Sequence, residues 1–271
     1  MQEIREWNLR GGYLVFVDSD DWIEKDYIGT LLQYREDSVL VLTGRKKEEA
    51  TGIILTECYS DEEVSEVKEQ WFWKLYRKNF ANSPCGKLYD MKVIKRYQLR
   101  FPDELDLGED LIFNLSYYVH MNKCVIINHP LYAYSYSGTS LSHKIRENKK
   151  EIKFYLYQQI KNYCEKYGEM KEEDFLAYYF MYYNTFLFDA EQERKNKSFS
   201  RNVRNKKYRE IIESREMRNI ITDIKEYKKN LSFLKKTDIF MIENRLFLLY
   251  RISHWSSIKG KKFYNFLFSR R

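Results

Sequence analysis

The sequence predicts an α/β domain followed by an all-α extension, and three patterns support this fold class. In the first half, short apolar runs rich in β-branched and aromatic residues are mixed with helical patterns, as in α/β domains. From about Ile145 onwards, long helical patterns dense in Lys, Glu and Tyr follow one another without strands. The net charge changes at the same point, from −5 over residues 1–145 to +12 over residues 146–271. We therefore expect two domains, residues 1–145 and residues 146–271.

The first half contains several local signals for individual strands and helices. Gly11-Gly12 precede the apolar run Tyr13–Val17, which is typical of a fully buried strand. Ser60 stands three residues before Glu63, the spacing of a capping box, and predicts a helix from there to about Lys78. Further strands are predicted over residues 39–43, 52–57, 125–127 and 131–136. Further helices are predicted over residues 25–33 and 91–97, and from Gly108 onwards.

Cysteine spacing and hydropathy exclude several classes of protein. The four cysteines stand far apart without a CxxC pair, which argues against a zinc site or a disulfide framework and fits a reducing compartment. The longest apolar stretch, residues 175–188, is too short to cross a bilayer and indicates a buried helix. Since the N-terminus also lacks a signal-peptide pattern, we expect a cytoplasmic protein.

An acidic cluster, Asp18-Ser19-Asp20-Asp21, directly follows the first predicted strand. Three carboxylates in four residues repel one another, and a hard divalent cation would compensate for that repulsion. Mg²⁺ takes few protein carboxylates and completes its shell with water and substrate phosphates. The carboxyl ends of strands are also where α/β sheets bind ligands. The alternative is an ordinary acidic turn in which Asp18 or Asp20 caps the next helix.

Two segments of the chain resemble family 2 glycosyltransferases, which have the GT-A fold. Residues 11–22, Gly-Gly-Tyr-Leu-Val-Phe-Val-Asp-Ser-Asp-Asp-Trp, resemble the strand and DxD segment of that family. A second set of motifs follows in the family's order: Lys87-Leu-Tyr89, Phe101, Gly108-Glu-Asp110, Pro130-Leu-Tyr-Ala-Tyr134 and Ser140. The resemblance covers residues 11–143. It implies a partial GT-A domain, Rossmann-like with a mostly parallel sheet, ahead of the helical extension.

The resemblance also implies roles for individual residues. Asp18 would lie near the ribose and diphosphate of a nucleotide-sugar, and Asp20 would hold Mg²⁺ or Mn²⁺ against that diphosphate. Asp21 continues the same cofactor-binding segment. Lys87 would lie near the phosphates, and the alternative is a solvated surface lysine.

Asp110 would act as general base, because a sugar hydroxyl must lose its proton as it attacks. Its alternative role is to favour the helix macrodipole from the first turn. The implied enzyme is an inverting, metal-dependent hexosyltransferase of surface polysaccharide synthesis. Its donor is expected to be UDP-linked, and its acceptor a glycan or a lipid-linked molecule.

The chain departs from the family before the DxD segment. Full-length members carry a nucleotide-binding half there, whereas ten residues precede Gly11. We therefore expect either a truncated gene product or a separate chain that supplies the missing half. The alternative function is a non-catalytic remnant that acts as a membrane-surface or protein-interaction module.

The basic tail suggests a second kind of partner. Residues 238–252 form an amphipathic pattern, and basic and aromatic residues continue to Arg271. Such a segment can bind an anionic membrane surface, which would place the protein peripherally at the inner face of the cell membrane. Equally, these apolar faces can pack on one another. No nucleic-acid motif accompanies the charge, so nucleic acid is not an expected partner.

Overall fold

A computed structural model describes residues 11–49, 52–135 and 148–250 of the chain. The chain divides into two compact units, the first ending at Lys171 and the second beginning at Glu172. The first unit combines a seven-stranded sheet with helices, and the described part of the second unit is helical. This confirms the predicted α/β domain and all-α extension. The boundary between the units lies beyond residue 145, because the first unit also includes the helix that follows that residue.

The first unit contains the strands β1 (Tyr13–Leu14), β2 (Trp22–Ile23), β3 (Val39–Glu49), β4 (Gly52–Glu57), β5 (Val64–Val67), β6 (Lys87–Asp90) and β7 (Lys123–Ser135). Its helices are α1 (Tyr27–Gln33), α2 (Trp71–Arg77), α3 (Met91–Tyr97), α4 (Glu109–Tyr118) and α5 (Lys149–Tyr167). The predicted strand segment 125–127 and the described part of segment 131–136 belong to the single long strand β7.

The sheet has the order β1-β6-β3-β7-β2, with β4 paired to β3 and β5 paired to β7. The two longest strands, β3 and β7, are parallel, and the other pairs of named strands in the described ranges are antiparallel. The expected mostly parallel arrangement is therefore wrong for this part of the chain. Parallel neighbours need a long crossover, and the elements between β3 and β7 provide one.

The run Tyr13–Val17 is only partly a strand. β1 covers Tyr13–Leu14, and Phe16 adds a single parallel bridge to Cys85. Tyr13 is 40% exposed and Val17 is 38% exposed, whereas Phe16 is buried. Among the described residues β1 pairs with β6 alone. The prediction of a fully buried strand is therefore wrong, because Phe16 is the one buried residue of this run and Val15 is only partly buried.

The predicted helix over residues 60–78 is correct only in its last part, since α2 begins at Trp71. Val64–Val67 instead form β5, which pairs antiparallel with β7. The Ser60 hydroxyl contacts the Ser65 hydroxyl at 2.7 Å and accepts from the Asn128 side-chain amide at 3.2 Å. These contacts across the sheet replace the capping box that the spacing of Ser60 and Glu63 suggested.

The second unit contains α6 (Glu172–Lys195), α7 (Arg201–Ile212), α8 (Arg215–Glu226) and α9 (Phe233–Glu243). Helix α6 packs against α7 and α8 and includes the predicted buried segment 175–188. Ser200, Ser214 and Ser232 cap α7, α8 and α9 with their side-chain oxygens. Within the described ranges, no helix combines the length and apolarity needed to cross a bilayer. The predicted amphipathic segment 238–252 begins inside α9, and the tail beyond residue 250 lies outside the described residues.

Candidate active site

The acidic cluster forms a turn between β1 and β2, and β7 holds this turn in place. The Asp21 N–H donates to the Asp18 carbonyl at 3.1 Å. The Asp21 carboxylate accepts hydrogen bonds from the Tyr132 hydroxyl at 2.5 Å and from the Ser135 N–H at 2.8 Å. The Tyr132 hydroxyl also accepts from the Asp18 N–H at 3.3 Å. The turn therefore depends on two residues of β7 for its conformation.

The three aspartates of this turn differ in environment. Asp20 is exposed, whereas Asp18 and Asp21 are partly buried. Burial raises the pKa of Asp21, the hydrogen bonds from Tyr132 and Ser135 oppose that rise, and the charges of Asp18 and Asp20 add to it. Both carboxylate oxygens of Asp21 are engaged within the protein. Asp21 thus supports the turn that carries the other two aspartates.

Asp110 lies in the first turn of α4, where the sequence predicts a helix start. The preceding Gly108 has a φ of +85°, and a Cβ at this position would lie 2.5 Å from a methyl carbon of Leu156 in α5. Burial, and next the charges of Glu109 and Asp18, raise the pKa of Asp110 to about 7 against the opposing effect of Lys87. The structure therefore brings Asp110 within electrostatic reach of Asp18 and Lys87, although they are far apart in sequence.

Lys87 begins β6 and is only 3% exposed. Its ammonium donates to the Ser83 carbonyl. Burial, and next the positive charge of Arg45, lower the pKa of Lys87 to about 7, while the charge of Asp110 acts in the opposite direction. The alternative of a solvated surface lysine is excluded by this burial.

A cavity of about 330 Å³ joins several of these groups. It lies along the middle of β3, beside the register shift around Gly44. Its lining includes Asp18, Asp21, Arg45, Lys46, Lys87 and Tyr132. Three of the five residues that the sequence singled out thus share one cavity. Asp20 and Asp110 are not part of its lining, although the charge of Asp110 acts on Lys87.

Three further residues of the lining, Arg45, Lys46 and Tyr132, were not predicted from the sequence as site residues. Lys46 is buried, pairs with Glu24 and lies 4.2 Å from the centroid of the Trp22 ring. Arg45 pairs with Glu57. The run Arg45-Lys46-Lys47 at the end of a predicted strand was an available signal for these cations. Tyr132 lies inside the quoted motif Pro130–Tyr134, but nothing local in that motif shows that its hydroxyl reaches the acidic turn.

The acidic turn supplies the hard oxygen ligands that Mg²⁺ and Mn²⁺ prefer. Among the described residues, no group of three or more His, Cys, Asp or Glu side chains is arranged to hold a metal ion. A Mg²⁺ ion bound with substrate phosphates needs only one or two protein carboxylates. The carboxylates of Asp18 and Asp20 therefore suit an ion that is shared with substrate phosphates, and not an ion enclosed by protein ligands alone.

Comparisons with known proteins find glycosyltransferases, although no family model matches the chain. The chain is 37% identical over 146 residues to the glycosyltransferase GlyA of Streptococcus pneumoniae, an alignment covering 50% of this chain and 20% of GlyA. It is 26% identical over 167 residues to EpsH of Bacillus subtilis, whose own glycosyltransferase assignment is provisional; the alignment covers 60% of this chain and 48% of EpsH. The chain thus spans less than half the length of these two curated relatives.

Solved structures of S. aureus TarS share the fold. The crystal structure of TarS residues 1–349 in complex with UDP-GlcNAc matches with a TM-score of 0.57 and 19% identity, covering 93% of this chain and 69% of that one. The complex of the same TarS segment with UDP matches with a TM-score of 0.55 and 20% identity, covering 93% and 68%. The fold of this chain is therefore the one that these TarS structures contain.

Proposed function

We propose that this chain contributes the acceptor side of a glycosyltransferase that moves a hexose from a nucleotide-diphosphate sugar to a glycan or lipid-linked acceptor. The observation that carries the proposal is the cavity shared by Asp18, Asp21 and Lys87. Asp110 lies close enough to this cavity for its charge to act on Lys87. The sequence similarity to GlyA supports the same reaction class.

Asp110 is suited to remove the proton of the attacking hydroxyl. A general base works best when its pKa lies near the operating pH, and burial raises the pKa of Asp110 to about 7. Lys87 opposes that rise and so keeps a larger fraction of Asp110 in the ionised, basic form at neutral pH. With the base on the acceptor side, a single displacement inverts the configuration at the anomeric carbon.

Asp18 and Asp20 are the residues proposed to hold Mg²⁺ or Mn²⁺ beside the donor diphosphate. When bound, the ion would neutralise charge on the departing diphosphate. Asp21, fixed by Tyr132 and Ser135, keeps the turn in the conformation that presents both carboxylates. We propose a UDP-linked donor, which the UDP and UDP-GlcNAc complexes of TarS support. The same proposal includes a separate chain that supplies a nucleotide-binding half. It also includes a role in surface polysaccharide synthesis.

A second candidate function is attachment to an anionic membrane surface through α9. Phe233 is 80% exposed, Leu234 is 73% exposed and Phe240 is 57% exposed. The neighbouring Lys235 and Lys236 are exposed as well. Apolar side chains flanked by lysines on one helix are typical of surfaces that insert at a lipid headgroup region. This attachment would bring the enzyme to a lipid-linked acceptor.

Calorimetric titration of the protein with UDP, with and without Mn²⁺, tests the enzyme proposal. We expect Mn²⁺-dependent binding that the paired substitution of Asp18 and Asp20 by Asn removes. The matched control is the paired substitution of the exposed Asp26 and the surface Asp37 by Asn, which should leave binding unchanged. Metal-independent binding, or equal binding by both paired variants, would contradict the assignment of the acidic turn.

A further inference from the structure

Four cationic side chains line the same cavity, and two of them, Arg45 and Lys87, have no carboxylate partner in common within the described part of the chain. Arg45 of β3 and Lys87 of β6 lie on neighbouring strands, where Leu42 pairs with Lys87. The Arg45 guanidinium bonds to Glu57 and lies 5.1 Å from the centroid of the Phe80 ring. It is also the main charge that lowers the pKa of Lys87. Two like charges held together in a partly buried cavity repel each other, and an anion between them would relieve that repulsion.

Lys87 and Thr43 are buried polar groups with incomplete partners. The Lys87 ammonium bonds to the carbonyl of Ser83, and in the described ranges it forms no salt bridge with a carboxylate. Thr43 also lines the cavity and is 3% exposed, and its hydroxyl has no hydrogen-bond partner among the described residues. Buried polar groups are nearly always partnered. Two incomplete donors on one cavity therefore point to a ligand that accepts hydrogen bonds.

Three acidic side chains line the cavity, Asp18, Asp21 and Glu57, and the last two have charged or hydrogen-bonding partners within the protein. Asp21 accepts from Tyr132 and Ser135, and Glu57 pairs with Arg45. The carboxylate whose charge acts on Lys87 is Asp110, and its own pKa is raised to about 7. At neutral pH the protein therefore supplies only part of the negative charge that a fully protonated Lys87 requires.

The geometry points to an anion subsite in this cavity, in which Lys87 and Arg45 hold a phosphate or carboxylate group of a ligand and Thr43 donates a hydrogen bond. The subsite rests on the proposed function for its ligand, which is either the donor diphosphate or an acidic group of the acceptor. Phe80 and Tyr134 also line the cavity and provide aromatic surface for an attached sugar ring. Because an anion favours the charged form of Lys87, its binding should be accompanied by proton uptake.

Calorimetric titration with glucuronate and with UDP-glucose tests the subsite, and neutral glucose is the matched probe. The acid groups of both anionic probes stay ionised between pH 6 and pH 8, so any proton taken up comes from the protein. We expect both anions to bind more tightly than glucose. Titrations in two buffers of different ionisation enthalpy should show proton uptake at pH 8 that declines towards pH 6. Equal affinity for glucuronate, UDP-glucose and glucose would overturn the subsite.

Substitution variants then assign the effect to Lys87. Lys87→Met should weaken anion binding by about tenfold or more, as expected for loss of a charge-assisted hydrogen bond, and should remove the proton uptake. Lys25→Met, at an exposed lysine of the same unit, should retain both. Anion binding by folded Lys87→Met with unchanged affinity and proton uptake would also overturn the proposal. If this variant does not fold, the preference of the wild-type protein for glucuronate over glucose still decides the matter.

Competition separates the two sources of the anion. Glucuronate that still binds in the presence of saturating UDP-glucose and Mn²⁺ would assign the subsite to the acceptor, whereas displacement would assign it to the donor diphosphate. The two proposals fail separately. If the wild-type protein shows no Mn²⁺-dependent UDP binding, the enzyme proposal is contradicted. If it shows no preference for glucuronate over glucose, only the acceptor subsite is contradicted.

Discussion

The Tyr132 hydroxyl donates to the Asp21 carboxylate at 2.5 Å and accepts from the Asp18 N–H at 3.3 Å. One phenol from β7 thus contacts both ends of the acidic turn. Neither contact involves the exposed carboxylate of Asp20. The conformation of the turn is therefore set by a residue that takes no part in binding the proposed metal.

Tyr132→Phe should weaken Mn²⁺-dependent UDP binding more than it weakens the fold. The substitution leaves Asp21 with the Ser135 N–H as its remaining donor, and a lost hydrogen bond of this kind costs about 1–3 kcal/mol. We expect reduced UDP affinity in calorimetry while urea unfolding still shows one cooperative transition. Tyr155→Phe, at an exposed tyrosine of α5, is the control. UDP affinity equal to that of the control would show that the turn keeps its conformation without the phenol.

Asp110→Asn should change the pH dependence of stability. The folded-state pKa of about 7 lies above the ordinary value of 3.8, so the charged form is the one that destabilises the fold. Wild-type stability from this group is therefore lost as the pH rises from about 4 to about 7. The variant should be more stable than wild type at pH 8, by on the order of 1–3 kcal/mol, and the difference should shrink towards pH 4. Urea titrations at both pH values measure it, and a constant difference would contradict the raised pKa.

In an enzyme completed by its nucleotide-binding half, Asp110→Asn should also abolish transfer while sparing donor binding. The amide cannot accept the proton of the attacking hydroxyl, but it removes no proposed contact with the nucleotide. Release of UDP from UDP-sugars in the presence of acceptor measures transfer, and calorimetry measures donor binding. Wild-type turnover by this variant would remove Asp110 from its proposed role.

Gly108→Ala should destabilise the first unit and displace Asp110. The residue has a φ of +85°, and an added Cβ would approach Leu156 to 2.5 Å. The strained backbone alone costs about 1 kcal/mol or more, and relieving the contact must shift α4 or α5. Gly29→Ala is the matched control, since α1 has nothing within 4 Å of that position. It should be neutral or stabilising by up to about 1 kcal/mol. Chemical denaturation measures the free energy of unfolding of both variants. Equal values for the two would show that the backbone at Gly108 is not constrained.

Glu169→Ala should destabilise the fold, because its buried carboxylate accepts the Phe72 N–H at 3.0 Å at the start of α2. Removal leaves a helix N-terminal donor without its partner, at a cost of about 1–3 kcal/mol. Glu169→Gln keeps an acceptor and should lose less. Urea unfolding midpoints measure both variants. A larger loss for Gln than for Ala would contradict the capping role.

A double substitution, Phe233→Ser with Leu234→Ser, should release the protein from anionic vesicles. Both side chains are mostly exposed, so the change should leave the free energy of unfolding within about 0.5 kcal/mol. Co-sedimentation with phosphatidylserine vesicles measures the binding, and neutral vesicles provide the control. Undiminished binding by the double variant would place any membrane contact elsewhere.

Local signals in the sequence predicted local structure well. Helix α3 follows Asp90, whose side chain caps the Lys92 N–H at 2.7 Å, and α4 begins directly after Gly108. These features depend on neighbouring residues, so a single sequence reveals them. The strand β5 was missed because its partner in β7 lies some sixty residues away. The spacing of Ser60 and Glu63 therefore led to the prediction of a helix in place of β5.

The candidate site was predictable in its chemistry but not in its environment. The acidic turn and Asp110 stood out as carboxylates at the ends of elements. The burial of Lys87 is decided by the strands and loops around it, and no neighbour in sequence indicates it. The contact of the Tyr132 hydroxyl with Asp21 is equally unpredictable, because the two residues are 111 positions apart in the sequence. Both features arise from tertiary packing.

The parallel pairing of β3 with β7 brings together strands separated by six other elements. Bringing such distant segments together costs chain entropy before any contact forms, and domains rich in non-local strand pairs fold slowly. Because residues of β7 hydrogen-bond to the acidic turn, the binding cavity can form only after β3 and β7 have paired. Substitutions that delay the docking of β7 would then slow the appearance of ligand binding during refolding while leaving the final affinity unchanged.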